Sequence, residues 1–311
     1  MRFQRGCIEC VHKQANKLIG FFGVDDTTWL ELQKDILSEL AGVPDTMTAP
    51  VLAKRLADIV KAKTGKGDPF LSIRQRSNAE MEKVYPFIKR RILFSADRLK
   101  ASIIASALGN SIDFGIPDNT YTPEEIRDDF IRLIKAGRNK RAFEIDDYEL
   151  LKDHIHKART ILFIADNAGE IVLDRLLIEW MLTHLKGAGI TLCVRGAPTI
   201  NDAIIDDAQK HILGKLSQKA LSRLRIIDTG SDVPGADLAY ASEGFKKAFN
   251  EADVIISKGQ GNFEVLEGTT DSNGDPKDIY FIFKVKCGGV ADYVSAKKGS
   301  LILYKNRHSE W

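Results

Sequence analysis

Residues 161–170, ILFIADNAGE, combine the pattern of a buried strand with side chains that can bind a cation. An apolar run leads into Asp166 and Asn167, and Gly169 and Glu170 follow. The run predicts a strand, and the next residues, IVLDRLLIEWML, predict a helix. In an open parallel sheet, ligands bind outside the carboxyl ends of the strands, and hard cations prefer oxygen ligands. Asp is also a favoured helix cap, so this segment alone does not distinguish a cap from a cation site.

Two further strand ends carry clusters of polar residues. The apolar run TLCV is followed by Arg195 and Asp202, and the run VIIS is followed by Lys258, Asn262 and Glu264. A helix cap needs one polar residue, whereas each of these loops holds several. Placed side by side, the three loops would line one crevice with carboxylates, amides and cationic groups. The sequence therefore predicts a site that binds a metal ion together with an anion.

The residue types at this site indicate which metal and which chemistry it would support. Asp166, Asn167 and Asp202 offer two carboxylates and an amide, a set that suits Mg²⁺ or Mn²⁺ better than Zn²⁺, with Co²⁺ or Ni²⁺ as alternatives. Such a metal keeps positions open for water and substrate, so it can polarise a phosphoryl oxygen and orient the attacking water.

Other residues are predicted to bind the anion or to transfer protons. Arg195, Lys258 and Lys286 are candidates for holding a phosphate, with solvated surface lysines as the alternative. Glu170 or Glu264 would act as a base or as a support for the ligands. Three more candidates for lining the cleft are Asn262 and, from the preceding helical region, Asn110 and Asp113.

Several other classes of protein are not supported by the sequence. The chain has no GxxxxGK[ST] phosphate loop, no HExxH zinc helix and no GxSxG elbow. A net charge of +2 without long runs of one sign gives no indication of a nucleic-acid partner. No apolar run is long enough to span a bilayer. With four cysteines and no export signal, the expected location is the cytosol.

The pattern of apolar residues changes near residue 145. Residues 1–145 carry helical spacing throughout, whereas in residues 146–311 short β-rich runs alternate with helical segments. This alternation predicts an α/β fold with a mostly parallel sheet. We therefore expect a helical N-terminal region and an α/β metal- and phosphate-binding domain. One compact unit, in which the sheet borrows helices from the first region, is the alternative.

Cys7 and Cys10 form a CxxC pair near the N-terminus. This spacing occurs in metal sites and in redox sites. A structural zinc site needs four ligands, and the chain has no second CxxC. Both an inert pair on a helix and a second metal or redox site therefore stay open.

Four motifs of the chain together resemble the damage-control phosphatases, which are also described as having an ARMT-like metal-binding domain. They are CIEC, DNAGE, RGAPTINDA and SKGQGNFE, in this order. The resemblance implies a helical N-terminal part beside a Rossmann-like α/β part. It places the family's metal ligands on Asp166, Asn167 and Asp202, and its phosphate contacts on Lys258 and Lys286. The CIEC motif is similar to that of the prokaryotic branch.

The activity implied by this resemblance is a metal-dependent phosphomonoester hydrolase that acts on small phosphorylated metabolites. Sugar phosphates, nucleotides and phosphopantetheine-like compounds are the expected substrate types. Two alternatives remain. One is a methyltransferase that uses S-adenosylmethionine, because an α/β sheet with glycine-rich loops can bind an adenosyl group. Three acidic or amide side chains are, however, better suited to bind a metal ion than S-adenosylmethionine. A non-catalytic metabolite-binding protein would gain nothing from carboxylates beside an anion unless a cation lay between them.

Overall fold

A computed structural model of the chain describes residues 1, 3–4, 6–44, 46–65, 67–111, 122–135 and 142–307. The predicted cleft residue Asp113 lies outside these residues. Every other residue that the sequence assigns to the candidate site is described.

The first region is helical, as the spacing of its apolar residues predicts. Two of its helices begin after an aspartate cap: Asp25 Oδ1 accepts the N–H of Thr28, and Asp97 Oδ1 accepts the N–H of Lys100. The described helices of this region are α1 (Cys7–Phe22), α2 (Asp26–Ala41), α3 (Ala49–Thr64), α4 (Leu71–Leu93), α5 (Arg98–Gly109) and α6 (Pro123–Lys135).

Strands and helices alternate in the second region. The described strands are β1 (Ile145–Asp146), β2 (Thr160–Ile164), β3 (Gly189–Val194), β4 (Leu224–Asp228), β5 (Val254–Lys258), β6 (Ile279–Lys284) and β7 (Leu301–Lys305). The helices are α7 (Tyr148–Lys157), α8 (Glu170–His184), α9 (Ile205–His211), α10 (Gln218–Leu221), α11 (Glu243–Glu251), α12 (Gln260–Leu266) and α13 (Gly288–Val294). The sequence predicts six strands, which correspond to β2–β7 and whose runs are ILFIA, TLCVR, RLRIIDT, DVIIS, YFIFKVK and SLILYK.

The strands form one sheet in the order β1-β7-β6-β5-β2-β3-β4. All neighbouring pairs are parallel except β6 and β7. The chain moves from β2 outward through β3 and β4, and then returns to place β5 on the other side of β2. The crevice between the carboxyl ends of β2 and β5 is therefore the switch point at which ligands bind in such sheets. The predicted α/β fold with a mostly parallel sheet is confirmed.

Three apolar clusters hold these elements together. One lies on one face of the sheet and combines residues of the strands with residues of α4–α8, such as Met81, Ile103 and Leu177. The cluster on the opposite face involves α11–α13, through residues such as Phe245 and Phe263. The third cluster consists mainly of residues from α1–α3. Helices α4–α6 therefore share a core with the sheet, whereas α1–α3 have a core of their own.

Candidate active site

Asp166 and Asn167 follow β2 directly and are joined to the loop that follows β3. The backbone N–H of Ala203 donates to the carbonyl oxygen of Asp166 at 2.8 Å, and Asn167 forms an antiparallel bridge with Asp202. The side-chain amide of Asn167 also donates to Asp166 Oδ2 at 2.6 Å. The structure thus brings together the three residues that the sequence predicts as metal ligands.

Asp166 is a buried carboxylate in the neighbourhood of two others. Burial raises the pKa of Asp166 well above its usual value, and the negative charges of Glu170 and Asp202 raise it further. The positive charges of Lys286 and Arg195 act in the opposite direction without cancelling this effect. Like charges that are buried together favour the neutral forms unless a cation lies between them.

The carboxylate of Asp166 rests directly on the backbone of Gly259, the residue that follows β5. A Cβ atom at position 259 would lie 2.0 Å from Asp166 Oδ2 and 2.1 Å from its Cγ. Gly259 also has φ 82°, in the region that favours glycine. Position 259 therefore requires glycine for two independent reasons. This glycine was not among the site residues predicted from the sequence, although its place directly after a strand was a usable signal.

Asn110, at the C-terminal end of α5, reaches this site from the helical region. Its side-chain amide donates to Asp166 Oδ2 at 2.9 Å and to Glu170 Oε2 at 2.7 Å. Its side-chain oxygen accepts the backbone N–H of Lys284 at 3.4 Å. Asn110 thus bridges two of the carboxylates that the sequence places in the site.

Lys258 is fully buried and makes three interactions within the protein. Its ammonium group donates to Glu170 Oε1 at 2.5 Å, to Asp174 Oδ1 at 2.7 Å and to the carbonyl oxygen of Ser106 at 3.0 Å. An ammonium group has three protons, so a phosphate contact would require one of these bonds to break. Burial by itself lowers the pKa of Lys258, but Asp174 and Glu170 outweigh it and raise this pKa overall.

Glu170 and Asp174 form the acidic side of this buried cluster. Glu170 Oε2 accepts the amide of Asn110, while its Oε1 accepts Lys258. Asp174 was missed by the sequence analysis, although its spacing of four residues from Glu170 puts both on one face of α8. Burial raises the pKa of Asp174 to about 7, even though it accepts hydrogen bonds from Lys258 and Ser106.

Arg195 and Asn262 occupy the floor of the site, and both are buried. Arg195 Nε donates to Asp202 Oδ2 at 2.6 Å, and its Nη2 lies 3.4 Å from Asn262 Oδ1. The Asn262 amide donates to the carbonyl oxygens of Lys258 and Ala165, which join the ends of β5 and β2. Arg195 Nη1 is buried and has no hydrogen-bond partner within the described part of the chain.

Lys286 lies just before α13, and Glu264 lies on α12. Lys286 is half-buried, and its backbone N–H donates to Gln260 Oε1 at 2.8 Å. The Gln260 amide donates to Glu264 Oε1 at 2.7 Å. Burial raises the pKa of Glu264, and the charge of Lys286 is among the effects that oppose this rise. Lys286 therefore lies close enough to influence both Asp166 and Glu264.

Cys7 and Cys10 begin α1 and carry free thiols. Burial raises the pKa of both thiols, and the nearby Cys287 and Glu264 raise it further. A raised pKa disfavours the thiolate, which is the reactive and metal-binding form. The CxxC pair thus lies next to α12 and α13, on the side of the site that carries Lys286.

The donor set at the switch point fits a divalent cation that prefers oxygen. Asp166 and Asp202 provide carboxylates and Asn167 an amide, and a bound cation would relieve the repulsion among the buried carboxylates. Among the residues that the structure describes, no group of three or more His, Cys, Asp or Glu is arranged to hold a metal ion. The proposed ligands are two aspartates and one asparagine, Asn167, so they do not form a group of that kind.

The chain is an α/β protein in which side-chain oxygens of Asp166, Asn167 and Asp202 lie together at the switch point of the sheet. The profile of the damage-control phosphatase ARMT1-like domain matches residues 3–302, so the chain belongs to this family. The family resemblance seen in the sequence is confirmed. Membership supports a phosphatase that acts on damaged or unusual small metabolites. No helix among the described residues is long and apolar enough to cross a membrane.

Several proteins similar to this chain come from archaea. A damage-control phosphatase of Pyrococcus horikoshii is 30% identical over 308 residues, which are 99% of each chain. A damage-control phosphatase of Archaeoglobus fulgidus is 30% identical over 251 residues, 81% of this chain and 80% of its own length. The crystal structure of a DUF89 family protein from Pyrococcus horikoshii has a similar fold, with a TM-score of 0.84 and 28% sequence identity. The match covers 99% of this chain and 100% of that chain.

Proposed function

We propose that the protein is a divalent-cation-dependent phosphomonoester hydrolase whose metal is held by Asp166, Asn167 and Asp202. The observation that carries this proposal is the buried carboxylate of Asp166, which lies near Glu170 and Asp202. The nearby positive charges of Lys286 and Arg195 do not offset the burial of Asp166 and its repulsion by these two carboxylates. Proteins of the ARMT1-like family are generally metal-dependent, which supports the same assignment. Mg²⁺ and Mn²⁺ suit these oxygen ligands best, and Co²⁺ and Ni²⁺ are alternatives.

A bound divalent cation would supply charge to polarise a phosphoryl oxygen and to lower the pKa of an attacking water. The protein contributes the groups that hold the carboxylates in place before substrate arrives. Asn110 and the amide of Asn167 both donate to Asp166 Oδ2. Gly259 leaves room for that carboxylate against the backbone. This preorganisation keeps the charged oxygens fixed while the reaction proceeds.

Two cationic side chains, Arg195 and Lys286, are proposed to bind the phosphate of the substrate. Arg195 is fixed by its bond to Asp202, while its Nη1 has no other hydrogen-bond partner among the described residues. Lys286 is partly exposed and lies near Asp166. Arginine and lysine both bind phosphate through charge-assisted hydrogen bonds. We assign the phosphate to these two residues, and Asn262 to the support of Arg195.

Lys258 acts on the site through Glu170 in this proposal. Its three hydrogen bonds all end on groups of the protein, and one of them fixes the carboxylate that also accepts Asn110. Glu170 then supports the ligands and does not transfer protons. Burial raises the pKa of Glu264, which lies near Lys286. We therefore assign proton transfer to Glu264.

The proposed substrates are small phosphorylated metabolites, with sugar phosphates, nucleotides and phosphopantetheine-like compounds as the first to test. The experiment is release of inorganic phosphate from such a panel by protein stripped with a chelator, with and without Mg²⁺, Mn²⁺, Co²⁺ or Ni²⁺. We expect release only with added metal, and none from the Asp202→Asn variant. A folded protein that binds metal but releases no phosphate from any compound would instead support a binding protein.

A further inference from the structure

Asn78 lies on α4, outside the predicted site, yet its side chain contacts the loop of Asp166 and Asn167 and also the first turn of α9, which follows the loop of Asp202. It is 2% exposed. Its Oδ1 accepts the backbone N–H of Gly169 at 2.7 Å, and its Nδ2 donates to Asp207 Oδ1 at 2.7 Å. Gly169 belongs to the loop after β2, and Asp207 belongs to the segment that follows β3.

The contact with Gly169 holds the loop of Asp166 and Asn167 against α4. Gly169 has φ 82°, and a Cβ atom at this position would lie 3.1 Å from the Cβ and carbonyl oxygen of Ser77. The loop therefore approaches α4 as closely as a glycine permits. The hydrogen bond from Asn78 fixes the loop at this distance, two residues after Asn167.

The contact with Asp207 holds the loop of Asp202 in the same way. Asp207 Oδ2 accepts the backbone N–H of Ile204 at 3.0 Å, which closes the turn at the start of α9. Ile204 forms a parallel bridge with Arg195, whose side chain binds Asp202. Arg74, whose guanidinium group donates to Asp68, also has its Nε 3.8 Å from Asp207 Oδ2.

We propose that Asn78 is a positioning residue that anchors the two loops on α4, in addition to the backbone hydrogen bonds that join the loops to each other, and so fixes the positions of Asp166 and Asp202. A single buried amide uses its acceptor for one segment and its donor for the other, so neither can move away from α4 without loss of a buried hydrogen bond. Residues that orient metal ligands typically change metal affinity by about 10–100-fold. The role in metal binding rests on the function proposed above, whereas the coupling of the loops does not.

The first test is hydrogen–deuterium exchange of the metal-free protein. In Asn78→Ala, both loops lose their shared anchor, so we expect amides in residues 165–172 and 199–208 to exchange at least about tenfold faster. Asn306→Ala is a matched control, because Asn306 is also a fully buried asparagine. Its side chain accepts the N–H of Gly268 and donates to the carbonyl oxygens of Thr269 and Lys277, which lie outside both loops. Unchanged exchange in both loops of Asn78→Ala would overturn the proposal.

The second test measures Mn²⁺ affinity by titration calorimetry in a set of variants that reverse the hydrogen bond. Asn78→Asp places a carboxylate against Asp207 and should weaken binding by about tenfold or more. The double variant Asn78→Asp with Asp207→Asn restores all three hydrogen bonds: the new carboxylate accepts from Gly169 and from the new amide, whose oxygen accepts Ile204. We expect this double variant to recover affinity to within about threefold of wild type.

These outcomes separate the two proposals. Wild-type affinity in Asn78→Asp, or no recovery in the folded double variant, would contradict the positioning role. Absence of Mn²⁺ binding and of phosphatase activity in the wild type would contradict the proposed function, while the exchange experiment would still decide whether Asn78 couples the loops. Asn306→Ala should lower the free energy of unfolding and leave Mn²⁺ affinity unchanged.

Discussion

Helices α1–α3 and helices α4–α5 come from one continuous helical stretch of sequence but pack against different parts of the molecule. Helices α1–α3 form a core of their own, whereas α4 and α5 share a core with β2 and β5. Only the second group sends buried asparagines, Asn78 and Asn110, to the loops of the switch point. The helices that share a core with the sheet, and not those with a core of their own, therefore contribute buried side chains to the site.

The titratable groups at the switch point also differ from those near α1. At the switch point, Asp166, Glu170, Asp174 and Lys258 are buried together, and their hydrogen bonds are short. Near α1, the thiols of Cys7 and Cys10 lie at the edge of the site, where burial favours their neutral forms. We therefore expect substitutions at the switch point to change metal binding and activity strongly, and substitutions at α1 to change them little.

The largest effect is expected for Asp166→Asn. Loss of the carboxylate should abolish Mn²⁺ binding and reduce kcat/KM by about a thousandfold, because several kcal/mol of transition-state stabilisation depend on the bound cation. The same change removes a buried charge that Glu170 and Asp202 repel, so the free energy of unfolding of the metal-free protein should rise. Calorimetry for metal binding and chemical denaturation for stability would check both parts. Full metal-dependent activity in this variant would contradict the assignment.

Gly259→Ala should have the next largest effect. The new methyl group would lie within 2.0 Å of Asp166 Oδ2 and must displace the carboxylate. We expect Mn²⁺ affinity to fall by about a hundredfold, the upper range for altered ligand orientation. Gly274→Ala is the control, since Gly274 has a similar φ of 86° but no atom within 4 Å of the position that a Cβ would take. Equal Mn²⁺ affinities in the two variants would contradict the role of the contact between Gly259 and Asp166.

Lys286→Ala should have a smaller and more selective effect. Loss of one charge-assisted hydrogen bond to phosphate should raise KM by about tenfold to a hundredfold, because such bonds contribute about 1.5–3 kcal/mol. Mn²⁺ affinity should change much less than KM, since Lys286 is not among the proposed ligands. Steady-state kinetics at saturating metal, together with calorimetry, would separate the two quantities. A change in metal affinity with an unchanged KM would contradict the role of Lys286.

The smallest effect is expected for the double substitution Cys7→Ser with Cys10→Ser. Because both thiols lie outside the proposed ligand set and favour their neutral forms, Mn²⁺ affinity and kcat/KM should stay within about twofold of wild type. Elemental analysis of the purified protein would test the alternative that the pair holds a second metal. A tenfold loss of activity would show that α1 takes part in the site after all, and would remove the contrast with α4 and α5.

The sequence predicted the parts of this protein that depend on local pattern. The runs ILFIA, TLCVR and DVIIS correspond to neighbouring parallel strands, so their polar ends meet, and the three proposed metal ligands lie together. The motifs also led to the correct family. The two-residue strand β1 was missed because two residues carry no periodicity.

The contacts between distant segments were not predictable in the same way. Lys258 follows a strand, and the pattern alone does not show whether its side chain enters the crevice or turns inward. Its partners, Asp174 on α8 and the carbonyl of Ser106 on α5, become neighbours only through packing. Asn78 lies 91 residues before Gly169, its hydrogen-bond partner, and carries no motif that marks it. These residues act through tertiary contacts, which one sequence does not reveal.

Anomalous X-ray diffraction at the manganese edge, from crystals of the metal-stripped protein soaked in MnCl₂, would locate the metal site itself. We expect one strong peak at about 2.0–2.5 Å from side-chain oxygens of Asp166, Asn167 and Asp202, the range of distances for oxygen ligands of hard divalent cations. The Asp166→Asn crystal should lack this peak. A peak at Cys7 and Cys10, with none at the switch point, would show that the proposed metal ligands are wrong.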